Sequence, residues 1–164
     1  LAGVAQAHLL TETLRPLGMR IIYSSPLQRA LQTAEIIGRE LHIPVIVNND
    51  LIEGNFGINE GQYHKDIILT EEYKNWRNLD AEYIHFRFEG GESKYEIMQR
   101  MFAAVSALLE TPEEVIGISS HSAAIRCLML QFGLKMKRLE NGALLRLTYN
   151  DGTWSVEEIC DDSE

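Results

Sequence analysis

The sequence predicts an α/β fold, a three-layer α/β/α sandwich whose sheet is mostly parallel with an antiparallel edge strand. Three observations predict it. Short apolar runs alternate with apolar stripes at helical spacing along residues 1–132. At two places such a run ends in serines and a helical stripe begins at once. Near the C-terminus, two β-rich runs flank Asn150-Asp151-Gly152, a pattern typical of an antiparallel hairpin.

The first half of the chain alternates helix and strand. The predicted elements are, in order, a helix ending near residue 18, a strand over 20–23, a helix over 27–41 and a strand over 43–47. Pro26 suits the start of the second helix, because a first helical position needs no N–H. Residues 48–64 contain three glycines and no steady period, so they predict a long loop. Long loops inside compact domains are often functional.

The second half begins with a short predicted helix over 71–79 and a stretch, 80–89, to which no element is assigned. Ser93 and Glu96 have the spacing of a capping box, which predicts the start of a helix. The remaining predicted elements are the rest of that helix to residue 109, a strand over 115–119, a helix from 122 to 132 and hairpin strands over 143–149 and 153–159. The apolar run 115–119 is typical of a strand buried on both faces.

The composition is that of one ordinary domain, and we treat residues 1–164 as one. Of these residues 45% are hydrophobic, which is ample for a buried core. The formal net charge of -9 argues against a general nucleic-acid surface, because such a surface must be basic. No apolar run is long enough to span a membrane. Two cysteines without a CxxC motif favour a cytoplasmic protein and predict no cysteine zinc site.

Three polar side chains follow predicted strands. In an open parallel sheet, ligands bind outside the carboxyl ends of the strands. Arg29 can bind an anion there, and Glu53 can donate or accept a proton. His121 can hold a phosphoryl oxygen or act in proton transfer or covalent catalysis. Each residue alone has an ordinary structural explanation, but their joint position at strand ends favours a functional site.

Two other groups of ring side chains are weaker candidates. His42, His64 and His85 lack the helical spacing or cysteine partners of a metal site, so neither a metal nor a cofactor is predicted. Six aromatic residues between 63 and 88 leave two interpretations open. They either select a substrate or form a satellite hydrophobic core.

Four motifs resemble those of the histidine phosphatase superfamily, also called the phosphoglycerate mutase-like family. Residues 24–34 resemble its SPLxRAxxTA motif, and residues 51–61 resemble its LxExxFGxxEG loop. Gly91-Glu92-Ser93 with Arg100 resembles its GES helix start, and Ser120-His121-Ser122 resembles its second-histidine motif. The resemblance covers nearly the whole chain in the family's order and implies the phosphoglycerate mutase-like fold.

This resemblance implies a phosphohistidine mechanism. In the family, the histidine of an N-terminal RHG motif attacks phosphorus, two arginines and a second histidine hold the phosphoryl oxygens, and an acid protonates the leaving oxygen. By resemblance, Glu53 would be that acid and His121 the second histidine. The implied site residues are Arg29, Glu53 and His121 as catalytic groups, Arg29, His121 and Ser122 as phosphate ligands, and Glu92 and Ser93 as substrate ligands.

One family motif is missing from the chain. No RHG occurs in its residues, so the nucleophilic histidine and the first arginine are absent, and the chain as given would be inactive. We expect that the family's N-terminal first strand is the missing piece and that the sheet has an open hydrogen-bonding edge. Ser122-Ala123 also stands where the family has glycines, which tightens the pocket beside His121.

The resemblance, together with Arg29, Glu53 and His121, therefore implies a phosphatase that hydrolyses a small phosphomonoester through a phosphohistidine intermediate. Two alternatives stay open. One is a phosphoglycerate mutase-type phosphotransferase, although the short lid between Gly61 and Gly90 is less suited to trapping a bisphosphate. The other is a non-catalytic protein that binds a phosphorylated ligand. The predicted partner is a small phosphorylated substrate, with no nucleic acid and no membrane; the substrate's identity and the oligomeric state, a homodimer included, stay open.

Overall fold

The computed structural model describes residues 2–159, so residue 1 and residues 160–164 of the predicted domain lie outside the described residues. The helices are α1 (Ala2–Leu14), α2 (Gln28–Leu41), α3 (His64–Ile67), α4 (Glu71–Arg77), α5 (Lys94–Ala107) and α6 (Ser122–Leu130). The strands are β1 (Ile21–Ser24), β2 (Val45–Val47), β3 (Ile116–Ser119), β4 (Leu144–Asn150) and β5 (Thr153–Ile159). Within residues 2–159, no helix has the length and apolar character needed to cross a membrane.

Strand β1 is the centre of a parallel three-stranded sheet in the order β2-β1-β3. At its carboxyl end, Ser24 aligns with Val47 of β2 and with Ser119 of β3. Because all three strands run in the same direction, the segments that follow them leave the sheet at the same end, the carboxyl end of the strands. The sequence predicts the functional side chains at this carboxyl end.

Strands β4 and β5 form an antiparallel hairpin. Asn150 pairs with Thr153 across a two-residue turn, in which Asp151 has a φ of 48° and Gly152 a φ of 80°. Both central residues thus have positive φ, as a type I′ turn requires. The predicted α/β fold with mostly parallel strands and an antiparallel pair is confirmed. One detail differs, because within the described residues the pair forms its own two-stranded sheet rather than an edge of the parallel one.

The three layers follow from the alternation of side chains along β1. Ile22 packs with Met19, Ala34 and Ile37 into a small cluster with helices α1 and α2. Its neighbour Tyr23 packs against the larger cluster, which is built mainly on α5 and α6. Successive strand residues point to opposite faces of a sheet, so the parallel sheet is sandwiched between two pairs of helices.

Strand β3 differs from its prediction. Its apolar sequence is typical of a strand buried on both faces, yet none of its residues is fully buried, and Ile118 is 40% exposed. The physical reason is that, among residues 2–159, β3 pairs with β1 alone and is an edge strand of the parallel sheet. The other edge of β3 faces a cleft.

Candidate functional site

A cleft of about 910 Å3 separates the two sheets, and we call it the β3–β4 cleft. Residues of both strands line it, and helices α1 and α2 supply apolar side chains to its wall. At the edge where the parallel strands end, the lining includes Arg29, Glu53, His121 and Ser122. The structure therefore brings together four of the six residues that the sequence selected as site residues.

Arg29 lies in the first turn of α2, directly after β1. The Leu27 backbone N–H donates to Ser25 Oγ at 3.3 Å, and this bond shapes the tight passage from strand to helix. Ala30 is buried at the helix start, while Arg29 next to it is exposed and lines the cleft. A guanidinium near a helix N-terminus, where backbone amides carry partial positive charge, is suited to binding an anion.

His121 follows β3 and is only 6% exposed. Its Nε2 shares a hydrogen bond of 2.7 Å with Oγ of Ser25, which is fully buried. Burial lowers the pKa of His121 below its usual value, the Glu53 carboxylate opposes this shift, and the Arg29 charge adds to it. The imidazole thus favours its neutral form near pH 7, and an anion bound beside it would favour protonation.

The Glu53 carboxylate is held at the N-terminus of α6. Its Oε1 accepts hydrogen bonds from the backbone N–H of Ala124 at 2.8 Å and of Gly54 at 3.0 Å. Its Oε2 accepts one from the N–H of Ala123 at 3.3 Å. A helix N-terminus has unpaired N–H groups and partial positive charge, so a carboxylate is stabilised there.

Ser122 is the first residue of α6 and lines the cleft. Its Oγ donates to the carbonyl of Leu139 at 3.3 Å. The hydroxyl is therefore already engaged with the chain that leads to β4. Its assignment as a phosphate ligand stays a prediction.

Glu92 and Ser93 do not line the cleft. Arg100 forms two hydrogen bonds with the Glu92 carboxylate, at 2.9 and 3.1 Å, and donates to the carbonyls of Asp50 and Ile52. Ser93 is 1% exposed, and its Oγ accepts from the Glu96 N–H in the predicted capping box, which is confirmed. The structure gives both residues structural contacts, since Glu92 with Arg100 ties the Glu53 loop to α5. Their role as substrate ligands stays a prediction.

The other four histidines do not line the cleft. His8 contacts Glu40, His64 shares a hydrogen bond with Tyr73, and His85 packs on Tyr95. Within residues 2–159, no three His, Cys, Asp or Glu side chains are arranged to hold a metal ion. His121 is thus the imidazole that the described chain presents to the cleft.

Four of the six aromatic residues of segment 63–88 favour the core interpretation, whereas Tyr63 is 74% exposed and Tyr83 lies outside the core cluster. Trp76 is 5% exposed and Phe88 is 4% exposed, and both belong to the larger core cluster. Phe56 packs edge-on against Trp76, with ring centroids 5.0 Å apart. These rings support the loop that follows Glu53.

Sequence reasoning does not single out two residues that the structure shows in notable positions, Ser25 and Lys94. Ser25 lies inside the first motif, directly after a strand and before a proline, and that position is a signal for a backbone-capping hydroxyl. Lys94 is the bulkiest fully buried side chain among residues 2–159, and nothing in its sequence position indicates burial. Lysine is almost never fully buried unless it is paired.

Comparison with known proteins identifies relatives over nearly the full chain. The model of the histidine phosphatase superfamily (branch 1) matches residues 2–162. A Yersinia pestis protein named "Probable phosphoglycerate mutase GpmB" is 33% identical over 160 residues, which cover 93% of this chain and 74% of that protein.

Solved structures share the fold at lower identity. The alpha-ribazole phosphatase from Shigella flexneri superimposes with a TM-score of 0.78 at 23% identity, covering 97% of this chain and 82% of that one. A mycobacterial glucosyl-3-phosphoglycerate phosphatase gives a TM-score of 0.77 at 21% identity, covering 98% of this chain and 85% of that one. At these identities, the similarity establishes the fold alone.

Proposed function

The chain belongs to the histidine phosphatase superfamily (branch 1), and we propose that it serves as a phosphatase that hydrolyses a small phosphomonoester. The observation that carries the proposal is the meeting of Arg29, Glu53 and His121 at one end of the β3–β4 cleft. These residues come from three separate strand ends, and together they supply an anion-binding guanidinium, a carboxyl group and an imidazole. This set suits the transfer of a phosphoryl group.

In the proposed reaction, Arg29 and His121 hold the phosphoryl oxygens. A histidine nitrogen attacks phosphorus, so that an N–P bond forms while the P–O bond to the leaving group breaks. Glu53 first takes up a proton from solvent and then gives that proton to the leaving oxygen. In the second half, Glu53 takes a proton from water as the water oxygen attacks phosphorus, the N–P bond breaks, and inorganic phosphate leaves.

The nucleophilic histidine is proposed to enter on an additional strand that fills the β3–β4 cleft. The exposure of Ile118 and the two strand edges along the cleft support this proposal. A strand that paired parallel to β3 would end beside His121, at the edge where the phosphoryl group is held. By resemblance, we propose that this strand is the family's N-terminal RHG segment.

A mutase is the second candidate function. The relative that is 33% identical carries the name of a probable phosphoglycerate mutase, and this similarity favours it. A mutase would return the phosphoryl group from histidine to another hydroxyl, whereas a phosphatase gives it to water. Isotope exchange between phosphoglycerates distinguishes the two, because only the mutase moves label between hydroxyl positions. A cytoplasmic location and a small phosphorylated substrate stay proposals for either candidate.

The test is phosphate release from p-nitrophenyl phosphate by the polypeptide of the complete reading frame. We expect His121→Ala to lower kcat/KM about a hundredfold, because a ligand to the transferring group is lost. His42→Ala is the matched control, since His42 lies outside the cleft, and it should retain full activity. Equal rates for the wild type and His121→Ala would contradict the proposal. Orthovanadate binding without turnover would favour the non-catalytic alternative.

A further inference from the structure

Lys94 occupies an unfavourable position for a lysine. It is the first residue of α5 and is only 1% exposed. Burial opposes a charged amine, and so does the partial positive charge of the helix N-terminus. Specific contacts must therefore compensate at this position.

Two carbonyls of one segment bind the Lys94 amine. Nζ donates to the carbonyl of Trp76 at 2.5 Å and to that of Tyr83 at 3.0 Å, and it lies 5.4 Å from the centre of the Trp76 ring. The Trp76 carbonyl belongs to the last turn of α4, where helices leave carbonyls without partners. A single amine thus joins two turns of residues 64–88, which we call the α3–α4 segment, to the start of α5.

The same contacts continue toward the candidate site. The Trp76 ring packs against Phe56, which lies three residues after Glu53. In the same loop, the Asn55 N–H donates to the Glu92 carboxylate at 2.9 Å. The Glu53 loop is therefore held from two sides, by Glu92 with Arg100 and by the aromatic pair that Lys94 supports.

We propose that Lys94 is a positioning residue, whose amine fastens the α3–α4 segment to α5 and, through Trp76 and Phe56, fixes the loop that carries Glu53. The fastening follows from the contacts alone. Its consequence for catalysis, the placement of Glu53, rests on the proposed function. A methionine would fill the same volume but leave two buried carbonyls without their donor.

The two carbonyls can bind the Lys94 amine in its neutral form as well as in its charged form. A neutral amine has two N–H groups, which match the two carbonyl acceptors. Burial lowers the pKa of Lys94 to about 8. The titratable group that faces it from α6 is Cys127, whose own pKa is raised by burial to about 12, so this thiol stays neutral. The fastening therefore persists on both sides of pH 8.

The sign of the pH effect follows from linkage. Lys94 has a pKa of about 8 in the folded chain against its ordinary 10.5, so between these values the unfolded chain binds more protons. Its contribution to stability consequently rises as the pH increases from about 8 to about 10.5. A side chain that only filled space would give no such rise.

Hydrogen exchange of the wild type, Lys94→Met and Lys74→Met tests the proposal. Lys74 is the matched control, because it lies in α4 with a side chain that is 60% exposed. We expect Lys94→Met to accelerate exchange about tenfold in residues 54–57 and 71–88, because donors to buried carbonyls are lost. Lys74→Met should leave these rates unchanged. Unchanged exchange in Lys94→Met, or equal acceleration in β1–β3, would overturn the proposal.

Two further measurements keep the test decisive. Should Lys94→Met fail to fold, Lys94→Gln retains two N–H donors and should exchange more slowly in the α3–α4 segment than Lys94→Ala; equal exchange would overturn the proposal. Urea unfolding between about pH 8 and 10.5 isolates the contribution of Lys94 as the difference in stability from Lys94→Met, because the buried Cys127 thiol contributes equally to every variant. This difference should grow with pH for the wild type and Lys74→Met but stay constant for Lys94→Gln, and a constant difference in all three would overturn the proposal. Neither readout needs phosphoryl chemistry, so failure of the proposed function would leave both results intact.

Discussion

Two strand–helix junctions form the candidate site, β1 to α2 and β3 to α6. They have similar backbone arrangements but differ in the charged side chain that lies at the helix start. Each leaves a parallel strand at a serine and starts a helix whose N-cap residue, Leu27 for α2 and His121 for α6, makes no side-chain capping bond. At α6, the Glu53 carboxylate accepts hydrogen bonds from two of the first amides. At α2, the exposed Arg29 guanidinium stands beside the helix start.

This difference assigns separate tasks to the two junctions. The start of α6 already carries a negative charge from its own chain, whereas the α2 junction combines a helix N-terminus with a cation. An incoming phosphoryl group therefore suits the α2 side, and His121 lies between the two because it bonds to Ser25. We propose that Glu53 serves in proton transfer instead. Two similar strand–helix turns can therefore differ in chemistry, because the charged side chain beside one of them is supplied by a distant part of the chain.

Arg29→Met should have the largest effect on anion binding. A bidentate guanidinium makes two charge-assisted hydrogen bonds, each contributing about 1.5–3 kcal/mol. We therefore expect orthovanadate affinity, measured by calorimetry, to fall about a hundredfold. The control is Arg39→Met in the last turn of α2, which should bind like the wild type. Equal affinities for the two variants would mean that the α2 junction does not hold the anion.

Glu53→Ala should distinguish the role of the α6 junction from that of the α2 junction, because it should lower stability without lowering anion affinity. The change removes the acceptor of three backbone N–H groups. The free energy of unfolding in urea should fall by about 2 kcal/mol. Glu82→Ala, at an exposed carboxylate, should change it by less than about 0.5 kcal/mol. A loss of orthovanadate affinity as large as that of Arg29→Met would contradict the division of tasks.

The smallest expected effect is the pH dependence that His121 adds. Because burial lowers its pKa below 6.5, His121 gains a proton only as the pH falls through that lowered value, and the imidazolium then attracts an anion. Sulfate keeps its charge over this range, so its affinity should rise as the pH falls below 6.5. His121→Gln should remove the rise. A rise that persists in the variant would assign it to another group.

Local patterns in the sequence are sufficient for most of the fold. The capping box at Ser93, the helical stripe of α5 and the Asp151-Gly152 turn depend on neighbouring residues, and all are found as predicted. The convergence of strand ends follows from a parallel sheet. Contacts between distant residues could not be predicted, as the bonds from Glu53 to Ala123 and Ala124 illustrate.

The structural features that the sequence did not predict also depend on contacts between distant residues. The exposure of β3 depends on which strands lie beside it, and its own apolar residues do not encode that. The burial of Lys94 depends on carbonyls supplied by α4 and the turn after it. The separate hairpin likewise depends on its neighbours, since the turn sequence specifies only the pairing of β4 with β5.

A double-mutant cycle of Arg29→Met and His121→Ala tests the central claim most directly, namely that both side chains hold the same anion. Orthovanadate affinity is measured for the wild type, both single variants and the double variant. We predict a coupling energy above about 1 kcal/mol, because residues that share a ligand do not act independently. Additive losses, within about 0.5 kcal/mol, would show that the guanidinium and the imidazole serve separate places and would contradict the account.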